Sequence, residues 1–114
     1  MTRRTERINE LLRAEISELL QREMKDPRLG GLITITEVDV SPDLRTAKVH
    51  VSVMGTAEQK DSTFKALRAA SRFLQREIRS RITIRRMPDL TFFPDESMER
   101  AARILYLLDH AQEE

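Results

Sequence analysis

The chain of 114 residues contains no cysteine and no tryptophan, and only 4% of it is aromatic. Without thiols there is no disulfide, no thiolate nucleophile and no cysteine-held metal. That suits a reducing compartment, and a cytoplasmic location is expected. No stretch approaches the run of roughly 18 apolar residues that a membrane helix needs. The start, Met1-Thr2-Arg3-Arg4, leads into a charged amphipathic segment and not an apolar one, so no signal peptide is expected. Enzyme chemistry is equally thin. The two histidines, His50 and His110, have no partner at ligand spacing. There is no P-loop lysine motif and no G-x-G-x-x-G, and Gly30-Gly31 reads as a turn. The carboxylates fall on helix faces and caps. No enzymatic activity, metal, cofactor or small-molecule substrate is expected.

What is present fits one domain spanning residues 1–114. A chain of this length can bury roughly two-thirds of its surface around one modest core. Hydrophobic residues make up 39% of it, so Leu, Ile, Val, Met and Ala must build that core around Phe64, Phe73, Phe92 and Phe93.

Ile8, Leu11, Leu12, Ile16, Leu19, Leu20 and Met24 recur at helical spacing and predict an amphipathic helix. Thr2 or Thr5 is its expected cap, and Pro27 ends it in the loop Lys25–Gly31. Leu32 to Val40 is rich in β-branched residues, but Ile33 and Ile35 are out of phase with Val38 and Val40. A bulge near Thr36-Glu37 would return all four to one face. After the turn Ser41-Pro42-Asp43-Leu44, residues Ala47, Val49, Val51 and Val53 alternate inward. Thr46, Lys48, His50 and Ser52 then face outward, as in an antiparallel hairpin with one wet face. A helical stretch follows over 57–81, with Phe64, Leu67, Ala70, Leu74 and Ile78 inward. Ile82-Thr83-Ile84 has strand composition, and Leu90-Thr91-Phe92-Phe93 predicts the third strand of the sheet. Asp95 or Ser97 would cap a last helix whose inner stripe is Met98, Ala101, Ala102, Leu105 and Leu108. The class is α+β.

The net charge of +1 hides a strong asymmetry. Between Lys65 and Arg86 the bases are Lys65, Arg68, Arg72, Arg76, Arg79, Arg81, Arg85 and Arg86, against the single acid Glu77. The first five line one helical face, opposite the apolar stripe. Such a row of like charges needs a counter-charge. Either acids from elsewhere supply it, with Glu10, Glu15 and Glu99 as candidates, or phosphates do. Arginine outnumbers lysine here, which favours bidentate phosphate contacts. Arg3, Arg4 and Arg7 can extend the patch. All eleven basic residues are candidate RNA contacts. The outward face of the hairpin carries no aromatic residue, so recognition should rest on backbone charge and shape and not on base stacking across a sheet.

These residues also carry a resemblance. Arg7-Ile8-Asn9-Glu10-Leu11-Leu12, Asp26-Pro27-Arg28-Leu29 and the run Ile33 to Ser41 resemble the bacterial ribosome-binding factor A family. So do Asp43-Leu44 with Ala47-Lys48-Val49, and Pro88 to Phe93 with Asp95-Glu96-Ser97. The resemblance implies a KH-like fold of type II order, α-β-β-α-α-β, with a kinked helix pair, and here a further C-terminal helix. It implies a monomer that binds the free small ribosomal subunit and its ribosomal RNA late in maturation, with a link to cold adaptation. In this family an Ala-x-Gly sequence kinks the two consecutive helices. The matching positions are Ala70, Ser71 and Arg72, so arginine stands in place of the glycine. Two other readings remain open: a DNA-binding helix-turn-helix over Lys65 to Ile82, and a protein–protein adaptor with a basic face.

Overall fold

The structure, a computed structural model, describes residues 3–22 and 32–111. The Thr2 cap, Met24 and the loop Lys25–Gly31 lie outside the described residues. The elements run α1 (Arg3–Arg22), β1 (Leu32–Val40), β2 (Thr46–Met54), α2 (Ala57–Arg81), β3 (Asp89–Pro94) and α3 (Ser97–His110). The α+β class is present, and the elements follow the KH-like order with a single helix in place of the expected pair between β2 and β3, then the C-terminal helix. The three strands lie in the order β1-β2-β3, β1 antiparallel to β2 and β3 parallel to it. The parallel pairing follows from the long helical crossover between β2 and β3.

The expected bulge is there. Ile35 pairs with Val51 and Glu37 with His50, so Thr36 is the extra residue. It shifts the side-chain phase by one, and Ile35, Val38 and Val40 are all buried. Ala47, Val49, Val51 and Val53 are buried opposite them as expected. Ser52 departs from the wet-face pattern and is buried at 3% exposure.

Leu12, Ile16 and Leu19 of α1 meet Phe64, Leu67, Leu74 and Ile78 of α2 in one core over the sheet. Each such side chain contributes on the order of 1.5–3 kcal/mol by leaving water. Asn9 of α1 accepts the Val40 backbone N–H at 2.8 Å, which ties the helix to the end of edge strand β1. Thr5 lies inside the first turns of α1 and is not its cap.

Three expectations are corrected. The first is the helix pair. α2 is one uninterrupted helix of 25 residues, so no break occurs at Ala70, Ser71 and Arg72. A rod of that length measures about 37 Å, longer than the sheet is deep. The sheet alone could not cover it. α1 also packs beside α2, and both halves of the stripe, from Phe64 and Leu67 to Leu74 and Ile78, are buried within one continuous helix. No glycine or proline interrupts 57–81, and Arg72 favours the helix over glycine by roughly 0.8–1 kcal/mol. The start is well built: Thr56 and Gln59 form a reciprocal capping box.

The second correction is Ile82-Thr83-Ile84, which forms no strand and runs as an unpaired connection into buried Pro88. The third is α3. None of its residues is buried, and Met98, Leu105 and Leu108 are 57%, 63% and 63% exposed. Its N-cap is Glu96, without a side-chain hydrogen bond. Asp95 stands one residue earlier and accepts the Ser97 N–H at 2.9 Å.

Candidate nucleic-acid interface

Periodicity places Lys65, Arg68, Arg72, Arg76 and Arg79 on the outer face of α2, and each is exposed in the structure. The unbroken helix keeps them in a single row. Two members of the wider set have local partners. Lys65 pairs with Asp61 at 3.0 Å, and Arg81 approaches Glu77 at 3.9 Å. Exposed helix pairs of this spacing contribute only about 0.3–0.5 kcal/mol. The Arg68 guanidinium lies over the Phe64 ring at 5.7 Å, which holds the cation against the helix surface.

Among the described residues, acids from elsewhere do not neutralise the row. Glu10 is taken by Arg13 on its own helix. Glu99 pairs with Lys60 at 2.8 Å, outside the basic row. Glu15 makes no ion pair among the described residues. Arg72, Arg76 and Arg79 likewise have no carboxylate partner there. Three adjacent, unpaired guanidiniums on a rigid helix repel one another, and an external polyanion relieves that repulsion.

The remaining arginines are sorted by the tertiary fold. Arg3, Arg4 and Arg7 of α1 come together with Arg85 of the α2–β3 connection around one cleft. Arg86 is exposed beside Arg85 in the same connection. The floor of that cleft is apolar: Ile8, Leu11, Leu44 and Ile84. These four residues were not legible as a site. Ile8 and Leu11 stood in the sequence only as members of a helix stripe, and Leu11 stays 42% exposed in the structure.

Among the described residues no cluster of His, Cys, Asp and Glu could hold a metal ion, and no helix is long and apolar enough to cross a membrane. What the fold and surface define is a KH-like α+β module that presents an unneutralised arginine row on one long helix.

Residues 4–108 match the family model described as Ribosome-binding factor A. A ribosome-binding factor A of Acetivibrio thermocellus is 49% identical over 106 residues, covering 93% of this chain and 86% of the relative. The crystal structure of ribosome-binding factor A from Thermus thermophilus is similar at a TM-score of 0.70 and 29% identity, over 79% of this chain and 94% of that one. A homology model of the Thermus thermophilus factor, fitted into a cryo-EM map of a 30S complex, matches at a TM-score of 0.64 and 31% identity, over 77% and 91% of the two chains. The chain belongs to the ribosome-binding factor A family.

Proposed function

We propose that this chain is a non-catalytic ribosome-assembly factor. It binds the free small ribosomal subunit through its ribosomal RNA and assists late maturation and rRNA processing in the cytoplasm, with the greatest need in the cold. The observation that carries this reading is the row Arg72, Arg76 and Arg79, exposed on one face of α2 without carboxylate partners among the described residues. RNA phosphates are the counter-charge such a row lacks. Lys65, Arg68, Arg81, Arg85 and Arg86 extend the same positive surface. The relative fitted into a 30S complex supports the choice of partner.

A helix-turn-helix reading is disfavoured, because Lys65 to Arg81 is continuous helix with no turn. An adaptor for an acidic protein would use the same cations. Cosedimentation with purified small subunits, at rising salt and against duplex DNA and an acidic protein as competitors, separates the three. Salt-sensitive binding to subunits that neither competitor displaces is the expected result. Displacement by duplex DNA or by the acidic protein at equal charge would refute it.

A further inference from the structure

The cleft beside α1 has a chemistry that the exposed arginine row does not. Its volume is about 420 Å³, within the range of a small-ligand site and large enough for one nucleotide. The floor is made by Ile8, Leu11, Leu44 and Ile84, drawn from α1, the β1–β2 turn and the α2–β3 connection. The rim carries Arg3, Arg4, Arg7 and Arg85. Among the described residues no carboxylate lines the cleft, and Thr83 is the single uncharged polar residue there. None of the four rim arginines makes an ion pair among the described residues.

The floor is held in place at some cost. Leu44 has a φ of 61°, a left-handed conformation that a branched side chain rarely adopts. The turn enforces it: the Leu44 N–H donates to the Ser41 carbonyl at 2.9 Å. The Asp43 carboxylate accepts the Ser41 hydroxyl at 2.7 Å and the Arg45 N–H at 3.1 Å. Leu44 is thereby packed between the core and the cleft.

A concave apolar floor inside a ring of guanidiniums fits a ligand with a flat apolar body and anionic flanks. We propose that this cleft receives one unstacked nucleobase of single-stranded RNA, with the flanking phosphates on the rim arginines. The inference rests on the RNA-binding reading above and adds a base-holding site to it. Guanidinium planes can stack on a base where aromatic residues are lacking. Contact with an apolar floor does not depend on base identity, so the site accepts any base and favours purines for their larger face.

The test uses the full chain and two probes of equal length and charge: tetra-adenylate RNA and the corresponding abasic tetraribonucleotide. Binding is followed through the methyl resonances of Ile8, Leu11, Leu44 and Ile84. The expected result is at least tenfold tighter binding of tetra-adenylate, with shifts at all four residues. Two substitutions at exposed positions probe the cleft without adding charge: Leu11→Asn makes the floor polar, and Thr83→Phe fills the space. Each should bring the ratio of the two affinities close to one in a chain whose amide spectrum remains folded. Equal binding of both probes by the natural chain, or a preference surviving in both variants, overturns the inference. So does Leu11-dependent binding to phosphatidylglycerol vesicles in preference to tetra-adenylate, which would make the cleft a lipid site. A chain that sediments with small subunits yet ignores the base refutes the cleft and leaves the proposed function standing. A chain that prefers the base yet never sediments with subunits supports the cleft and refutes the wider reading.

Discussion

The hydroxyl of Thr36 donates to the carboxylate of Asp95 across 2.6 Å. Thr36 is the bulged residue of β1, and Asp95 directly follows β3, so the contact reaches over the central strand β2. The bulge that corrects the hydrophobic phase of β1 therefore also supplies the donor that ties the two edge strands together. Asp95 additionally accepts the Ser97 N–H, and its own N–H donates to the Val51 carbonyl at 2.8 Å.

This contact predicts an acid limb in the stability curve. The hydrogen bonds from Thr36 and then Ser97, with His50 nearby, lower the Asp95 pKa from 3.8 to about 2. A depressed carboxylate stabilises the fold fully above its ordinary pKa, and that contribution is lost as pH falls through about 2. Asp95 is only partly shielded from solvent, so its share is roughly 1–2 kcal/mol. Thr36→Val should lower stability at neutral pH by about 1–2 kcal/mol and flatten the curve between about pH 4 and about 2. Denaturant melts across that window decide it, and an unchanged acid limb counts against the assignment.

The capping box at the start of α2 predicts a second loss. The Thr56 hydroxyl accepts the Gln59 N–H at 3.1 Å, and Gln59 Oε1 accepts the Thr56 N–H at 2.8 Å. Thr56→Ala should cost about 1 kcal/mol. Gly55 precedes the box with a φ of 152°, and a Cβ there would lie 2.4 Å from Gln59 Oε1. Gly55→Ala should therefore destabilise through backbone strain and disturb the same cap. Thermal melts of the two single variants and the double should show less than additive losses.

The unbroken α2 makes Arg72→Gly a loss. Glycine in a helix interior costs roughly 0.8–1 kcal/mol relative to good helix formers. A variant as stable as the natural chain would show that the helix bends there after all.

The arginine row predicts a charge effect without unfolding. Arg72, Arg76 and Arg79 are exposed, so changing all three to Glu should leave the circular dichroism intact. Small-subunit binding should fall, and the log–log salt slope should flatten by up to about one unit per lost phosphate contact. Full binding by the folded triple variant would reduce the row to a solvated face.

The exposure of α3 predicts tolerance. Leu108→Asp removes a residue that the sequence pattern assigned to the core, yet it is 63% exposed. Its effect on stability should stay within about 0.5 kcal/mol. A loss of several kcal/mol would mean that α3 packs against the body in solution.

Properties that depend on neighbours along the chain were legible from the sequence alone. The stripe Leu12, Ile16 and Leu19, the alternation from Ala47 to Val53, the bulge at Thr36 and the outward row from Lys65 to Arg79 all follow from side-chain period. The family resemblance drew on the same local runs. Tertiary structure decided whatever depended on the partner across space. A periodic apolar stripe states that a face wants cover, and it does not state whether cover exists. α2 found α1 as well as the sheet and stayed continuous, whereas α3 found neither and left its leucines in water. Glu10 and Glu99 could have neutralised the arginine row, but Arg13 and Lys60 hold them elsewhere. Arg85 met Arg3, Arg4 and Arg7 only because the α2–β3 connection returns past the start of α1. Burial and electrostatics are sums over three-dimensional neighbours, and those neighbours are fixed by packing, not by sequence spacing.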